Sequence, residues 1–243
     1  MLYSDLSGNY SRLSEGFYTS AVDVPECLPV RTFLPTGYEP GYAYPLLVFF
    51  HGHGSDEEHI LRLAPRLSRR NFICVGLRGT RPVDIHREGR LGYSWGSVDG
   101  YDAQLEDYVL KAVEHTAENY HIHPDRIYLA GVCEGATQAY RLGLMFPDTF
   151  SGIISLNGSL PRYQRPLLRL PTIRDLHIFV GHGIANAIVP ISLAKQDYHL
   201  LYTAGVDVTY KEYATNHRLH HEMLKDLNRW IIQQWTNDWE KDV

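Results

Sequence analysis

A doubly wound, mostly parallel α/β sheet with helices on both faces is the fold class this sequence predicts, and three observations predict it. Continuously apolar runs of strand length recur along the chain, segments with helical spacing lie between them, and several runs end in glycine-rich, polar or titratable residues. Strands buried on both faces read as unbroken apolar runs, which is how parallel strands read. Alternating strands and helices supply the crossovers such a sheet needs.

The elements follow in chain order. Residues 1–24 read as an N-terminal extension or edge-strand segment of a single domain spanning 1–243. Strands are predicted at PLLVFF (45–50) and FICVGL (72–77). In 103–116, Ala103, Leu105, Tyr108, Val109, Ala112, Val113 and Thr116 form one helical stripe, with Asp107 and Lys111 placed to pair on the outer face. The strand RIYLAGV (126–132) runs through the turn Gly131-Val132-Cys133-Glu134-Gly135 into a helix. Further strands are SGIISLNG (151–158), LHIFVGHG (176–183) and VDVTYKEYA (206–214), and a last helix carries Met223, Leu224, Leu227, Ile231 and Trp235 on one stripe. The stretch SLPRYQRPLLRLPTIRD (159–175), with its three prolines, reads as a surface connection.

Bulk properties exclude several classes. The 243 residues are 44% hydrophobic with a net charge of −5, and Lys and Arg do not form runs, so no nucleic-acid partner is expected. The first twenty residues lack a basic start followed by an apolar core, and no apolar run reaches the roughly 20 residues of a membrane helix. Cys27, Cys74 and Cys133 are odd in number and widely spaced, which argues against a disulfide framework and for a cytoplasmic protein.

In open α/β sheets functional residues collect at the carboxyl ends of strands. Four predicted strand ends fit that pattern: His51-Gly52-His53-Gly54-Ser55-Asp56, Cys133, Gly181-His182-Gly183-Ile184-Ala185-Asn186, and Ala214-Thr215-Asn216-His217. The glycines on either side of Cys133 are the device by which a strand-to-helix turn holds a nucleophile in a strained conformation, most often a serine.

On these residues the chain resembles an α/β-hydrolase, and within that fold the carboxylesterase, lysophospholipase and acyl-protein thioesterase group, over about residues 25–235. VFFHGHGSDEEHI is similar to the family's His-Gly oxyanion segment, GYSWGSVDG (92–100) to its small-aromatic stretch, and HPDRIYLAGVCEGA to the approach to its nucleophile. GHGIANAIVPI is similar to its acid-bearing loop and YATNHRLHHEMLKDLNRWI to its histidine loop and last helix. The resemblance implies a nucleophile at Cys133, an acid position at Asn186, a base at His217, and oxyanion-hole N–H groups on His53 and Glu134. Two of the three triad positions depart from Ser, Asp and His, and Glu134 stands where the family tends to have Gln. No cofactor is implied, the implied partner is a small acyl substrate or ligand, and the group's habit of pairing implies a homodimer.

The two triad departures are chemically compatible. A serine triad whose acid becomes Asn loses about 10⁴-fold in rate because the histidine takes the wrong tautomer. A thiol is easier to ionise, so Asn can orient the ring without adding charge, as in the Cys-His-Asn arrangement of papain-like proteases. Dienelactone hydrolases, which share the fold, also carry Cys on the elbow, with Asp as third member. These considerations point to an ester, thioester or lactone hydrolase; the alternative is a catalytically inactive descendant that binds an acyl ligand or a protein in the cleft. Trp95 and Tyr93, with Tyr101, are candidates for an acyl pocket, or else pack a long loop onto the core. His217 and His221 have the i, i+4 spacing of metal-binding helices, but the third ligand and a Glu base in the H-E-x-x-H sense are missing, so no metal site is assigned.

Overall fold

The computed structural model describes residues 15–85, 90–96, 103–162, 173 and 176–241. In chain order the elements are β1 (Gly16–Asp23), β2 (Cys27–Leu34), β3 (Tyr44–Phe50), α1 (Glu57–Leu61), α2 (Ala64–Leu67), β4 (Ile73–Leu77), β5 (Arg81–Ile85), β6 (Arg90–Ser94), α3 (Ala103–Asn119), β7 (Ile122–Val132), α4 (Glu134–Met145), β8 (Gly152–Leu156), β9 (His177–Gly183), α5 (Ile191–Thr203), β10 (Asp207–Tyr213) and α6 (His221–Lys241). Eight strands form one sheet in the order β1-β2-β4-β3-β7-β8-β9-β10, while β5 and β6 pair separately as an antiparallel hairpin. From β4 to β10 every neighbouring pair is parallel, and β2 joins both β1 and β4 antiparallel.

The apolar runs earn their place by burial on two faces. Successive strand residues point to opposite sides, so Leu46, Val48 and Phe50 pack with Leu105, Tyr108 and Tyr140 on one face. Leu47 and Phe49 pack with Ile60, Leu61, Leu227 and Ile231 on the other. Helices α3, α4 and α5 thus cover one face, and α1, α2 and α6 the other. At the edge, β1 has only one partner and alternates exposed with partly buried residues, consistent with a strand open to water on one side. Lys111 does not pair with Asp107 as expected; its ammonium donates to the carbonyl of Asp23 and ties α3 to β1.

The strand order places the site. From β3 the chain proceeds outward to β4 on one side, whereas β7 lies against β3 on its other side and leads away through β8, β9 and β10. At such a reversal the connections leaving neighbouring strands diverge and leave a crevice beyond their carboxyl ends. The loop after β3 starts at His51 and the turn after β7 holds Cys133, so both face that crevice. The 159–175 connection, Tyr101, and residues 97–100 of the aromatic stretch fall largely or wholly outside the described residues.

Candidate active site

Cys133 has φ 56° and ψ −119°, a conformation side chains rarely adopt. The cause is steric and local. A Cβ on Gly131 would lie 2.2 Å from the carbonyl oxygen of Gly135, and one on Gly135 would lie 2.2 Å from that of Phe50. The turn can close only with glycine at both places, which drives the start of α4 against the ends of β3 and β7. Cys133 N–H donates to the Leu156 carbonyl (3.1 Å) and Ala136 N–H to that of Cys133 (3.1 Å), so the strained residue is pinned at both ends.

The sulfur is half-buried, and burial pushes its thiol above the ordinary value. Hydrogen bonds from the backbone N–H of Glu134 and of His53 pull the other way, and the Glu134 carboxylate adds to the rise. The two amides named as oxyanion donors therefore converge on the sulfur. Glu134 turns its carboxylate aside: one oxygen accepts from Ser94 Oγ (2.6 Å) and Trp95 N (3.2 Å), the other lies 3.3 Å from His53 Nδ1. It clamps the β6 end and the β3 loop to the elbow.

His217 is held by Asn186. Asn186 Oδ1 accepts from the backbone N–H of Ile188 (3.1 Å) and Val189 (3.1 Å), which identifies that atom as the oxygen. The same oxygen lies 2.9 Å from His217 Nδ1, so Nδ1 carries the proton and Nε2 is left with its lone pair. Burial lowers the His217 ring below its ordinary value, helped by His182. Cys133 and His217 line the same cavity, but no hydrogen bond joins the sulfur to the ring among the described residues. Burial disfavours both the thiolate and the imidazolium.

One residue that sequence reasoning missed ties these loops together. Asn157, fully buried with φ 55°, sits just past the carboxyl end of β8 between β7 and β9. Its Oδ1 accepts from Gly183 N–H (2.9 Å) and lies 3.4 Å from Asn186 Nδ2; its own Nδ2 donates to the carbonyls of His217 (3.1 Å) and Arg218 (3.4 Å). A single side chain thus couples the loop bearing Asn186 to the loop bearing His217. The local signal was an Asn-Gly pair after an apolar run, which reads only as a turn.

Neither Trp95 nor Tyr93 is among the described residues lining the cavity. Trp95 is 1% exposed, donates its indole N–H to the His51 carbonyl (2.8 Å), and packs on Phe50 and His51. Tyr93 stacks under the Arg78 guanidinium and its backbone pairs with Ser55. They brace the oxyanion loop from behind. His51 is buried and spends both ring nitrogens on backbone, Nδ1 with the Gly52 carbonyl and Nε2 accepting from Gly79 N–H. His221 pairs with Glu222 rather than converging with His217.

The cavity above Cys133 encloses about 720 Å³, within the usual range for small-molecule sites. Its walls come from the β3 loop, α1 and α2, the end of β7, and the loops carrying Ile188 and His217. Among the described residues no helix is long and apolar enough to cross a membrane.

Comparison with known proteins agrees with this architecture. The family described as Phospholipase/Carboxylesterase matches residues 41–235. A probable carboxylesterase of Oryza sativa subsp. japonica is 28% identical over 206 residues, spanning 77% of this chain and 87% of that protein. Acyl-protein thioesterase 1 of Mycosarcoma maydis is 27% identical over 180 residues, spanning 64% of this chain and 74% of that protein. Among solved structures, the carboxylesterase of Mesorhizobium loti superposes with a TM-score of 0.67 at 19% identity, covering 90% of this chain and 98% of that one. That of Bacillus cereus gives 0.65 at 18%, covering 85% and 94%.

Proposed function

The chain belongs to the phospholipase/carboxylesterase family, and from that premise we propose that it hydrolyses carboxylic ester, thioester or lactone bonds with Cys133 as nucleophile. The observation that carries this reading is the strained Cys133, with two backbone amides at its sulfur and a correctly protonated imidazole on the same cavity wall.

The steps follow from the protonation states. Substrate places its carbonyl oxygen at the amides of His53 and Glu134, displacing the sulfur, which swings toward His217. As Sγ bonds to the carbonyl carbon, its proton passes to Nε2, and the negative charge on oxygen is met by the two amides. The imidazolium then protonates the departing alcohol or thiol as the tetrahedral species collapses to a thioester on Cys133. Water attacks that thioester with Nε2 as base, and the second tetrahedral species expels the sulfur with its proton restored. Asn186 keeps Nδ1–H in place throughout, so that Nε2 is the nitrogen that exchanges protons.

The test is turnover of p-nitrophenyl esters and of acyl thioesters, with intact-mass detection of an acyl adduct on Cys133. Activity above background that vanishes in Cys133→Ala and in His217→Ala supports the proposal. Absence of both turnover and adduct over a range of acyl lengths sinks it. A second reading, a non-catalytic protein holding an acyl ligand in the cavity, draws on the raised thiol and the missing sulfur–imidazole hydrogen bond. It requires ligand binding that survives Cys133→Ala with no adduct ever formed.

A further inference from the structure

The cavity has a one-signed rim. Arg62 and Arg66, one helical turn apart, rise from the α1–α2 segment, and Arg218 faces them from the loop next to His217; His59 adds a titratable fourth group. No Asp or Glu is among the described lining residues. The acidic residues of the same segment are committed elsewhere: Asp56 caps His59 N–H (2.7 Å), Glu57 pairs with Arg78, and Glu58 lies 3.9 Å from Arg31.

Several other arginines have carboxylate partners, among them Arg69 with Glu15, Arg162 with Asp197 and Arg229 with Asp226. The guanidinium groups of Arg62, Arg66 and Arg218 have neither a salt bridge nor a hydrogen-bond acceptor among the described residues. Three unmatched cations around one opening, in a chain of net charge −5, are a local reversal of the bulk field. A cleft with charges of one sign concentrates the opposite ion within it. The same lining includes the apolar side chains of Ile60, Leu63, Val132, Ile188 and Leu219.

Resting on the hydrolase reading above, we propose that the substrate is an anionic ester or thioester: a carbonyl at Cys133, a short hydrocarbon span against the apolar wall, and a carboxylate or phosphate held by Arg62, Arg66 and Arg218. Guanidinium forks match both anions bidentately, so the shared chemistry is a planar or tetrahedral oxyanion two or more carbons from the scissile bond.

Alkylation tests the rim without needing turnover. The full-length protein is treated in parallel with iodoacetate, an anion, and iodoacetamide, its neutral counterpart, and modification is read per cysteine by mass spectrometry. Cys27 is exposed and serves as an internal reference in the same molecule, while Cys74 is buried. The three arginines line the same cavity as the sulfur, and their field on an approaching anion is screened over a Debye length of about 8–10 Å. Set against the Glu134 carboxylate, which lies off the lining, three such charges leave a net of about two and enrich an anion about fivefold.

The iodoacetate/iodoacetamide rate ratio at Cys133 should therefore exceed that at Cys27 by about fivefold or more. It should fall toward the Cys27 value in 1 M NaCl and in Arg62→Gln/Arg66→Gln/Arg218→Gln, and stay high in Arg70→Gln, whose arginine lies off the cavity. Protection of Cys133 from iodoacetamide by succinate but not inorganic phosphate assigns a carboxylate tail, and the reverse assigns a phosphate. Equal ratios at the two cysteines, insensitive to salt, overturn the inference. A high ratio in a protein that turns over no ester leaves the anion site standing and removes the hydrolase reading. Turnover of neutral esters with equal ratios does the opposite.

Discussion

Replacing Asn186 by Asp tests how the base is oriented. The Asn186 oxygen already accepts from His217 Nδ1 and from the N–H groups of Ile188 and Val189, all within 2.9 to 3.1 Å, and a carboxylate oxygen can take the same three bonds. What changes is the other atom. The Asn186 amide nitrogen faces Asn157 Oδ1 at 3.4 Å, and Asn157 cannot flip, because its oxygen also accepts from Gly183 N–H and its nitrogen donates to two carbonyls. A carboxylate oxygen there meets the Asn157 acceptor, and also His182 Nε2, which lies 3.3 Å from the amide nitrogen and donates to the Val189 carbonyl (2.8 Å). In return, a charge stands about 4 Å from the imidazolium formed during reaction, a gross gain of about 4 kcal/mol at an effective dielectric near 20. The cost of burying the carboxylate, where Asn186 is only 5% exposed, is present with the ring neutral or charged and so falls on stability; screening by the carboxylate's other hydrogen bonds leaves on the order of 1–2 kcal/mol for the protonated ring.

The assay is the pH titration of the His217 ring by proton NMR, alongside the pH profile of iodoacetamide alkylation at Cys133. Asn186→Asp should move the ring titration to higher pH and speed alkylation near pH 7 by about tenfold, since an imidazolium then favours the thiolate. It should also cost stability through the acceptor–acceptor contact with Asn157. A ring titration that stays put, or moves down, would refute the assignment of Asn186 as the partner that sets the tautomer.

Other outcomes follow from the same contacts. Cys133→Ser should lower ester turnover by about 10³- to 10⁴-fold while Asn186 is retained, and Cys133→Ser/Asn186→Asp should recover at least tenfold of that loss, measured as kcat/KM on one p-nitrophenyl ester. Asn157→Ala should cost about 2–3 kcal/mol in urea unfolding, because it strands the Gly183 N–H and two carbonyls in a buried place, and should lower kcat more than it raises KM. Burial lowers the folded-state pKa of His51, His182 and His217, so below about pH 6.5 the unfolded chain binds protons the folded one refuses. Stability should be flat from pH 8 to 7 and fall as pH drops to 5.5, and a urea midpoint that rises on acidification over that span would contradict it. Glu134→Gln keeps an acceptor for Ser94 and Trp95 but removes a negative charge beside the sulfur, so the alkylation profile of Cys133 should shift to lower pH.

What the sequence disclosed and what it withheld divide along physical lines. The central strands β3, β4, β7, β8 and β9 are largely buried and so announce themselves as apolar runs. The edge strand β1 was foreseen only as part of an extension or edge-strand segment over 1–24, and pattern alone did not single out β2, which carries a proline and an arginine, or the β5–β6 hairpin, whose residues mix charged and apolar types. Cys133, Asn186, His217 and His53 drew attention because each stands at or just beyond the carboxyl end of a predicted strand, with glycines framing the Cys133 turn and His53. Trp95 could be read either as a pocket residue or as a ring packed on the core, because which of the two a ring faces depends on the path of its loop, which no local pattern records. Asn157 was invisible for a stronger reason. Its function exists only because β8 lies between β7 and β9, which brings residues 183, 186, 217 and 218 around one amide.

The departures at Cys133 and Asn186 alter what the shared geometry has to do. A serine site needs a charged third member because its hydroxyl will not ionise and the imidazolium must be stabilised by something. Here the third member is an uncharged amide, and burial disfavours the charged forms of both thiol and imidazole. Separation of charge then occurs only when a carbonyl enters, with the proton moving to His217 and the negative charge arriving at two amides. Arg62, Arg66 and Arg218 on the cavity lining act on the opposite charge from an aspartate: they favour an anion entering the cavity and contribute nothing that stabilises the imidazolium. Such a site should therefore be slower to accept a proton at His217 than a serine triad but more selective for acyl groups that bring their own negative charge, which is the property the iodoacetate ratio reads.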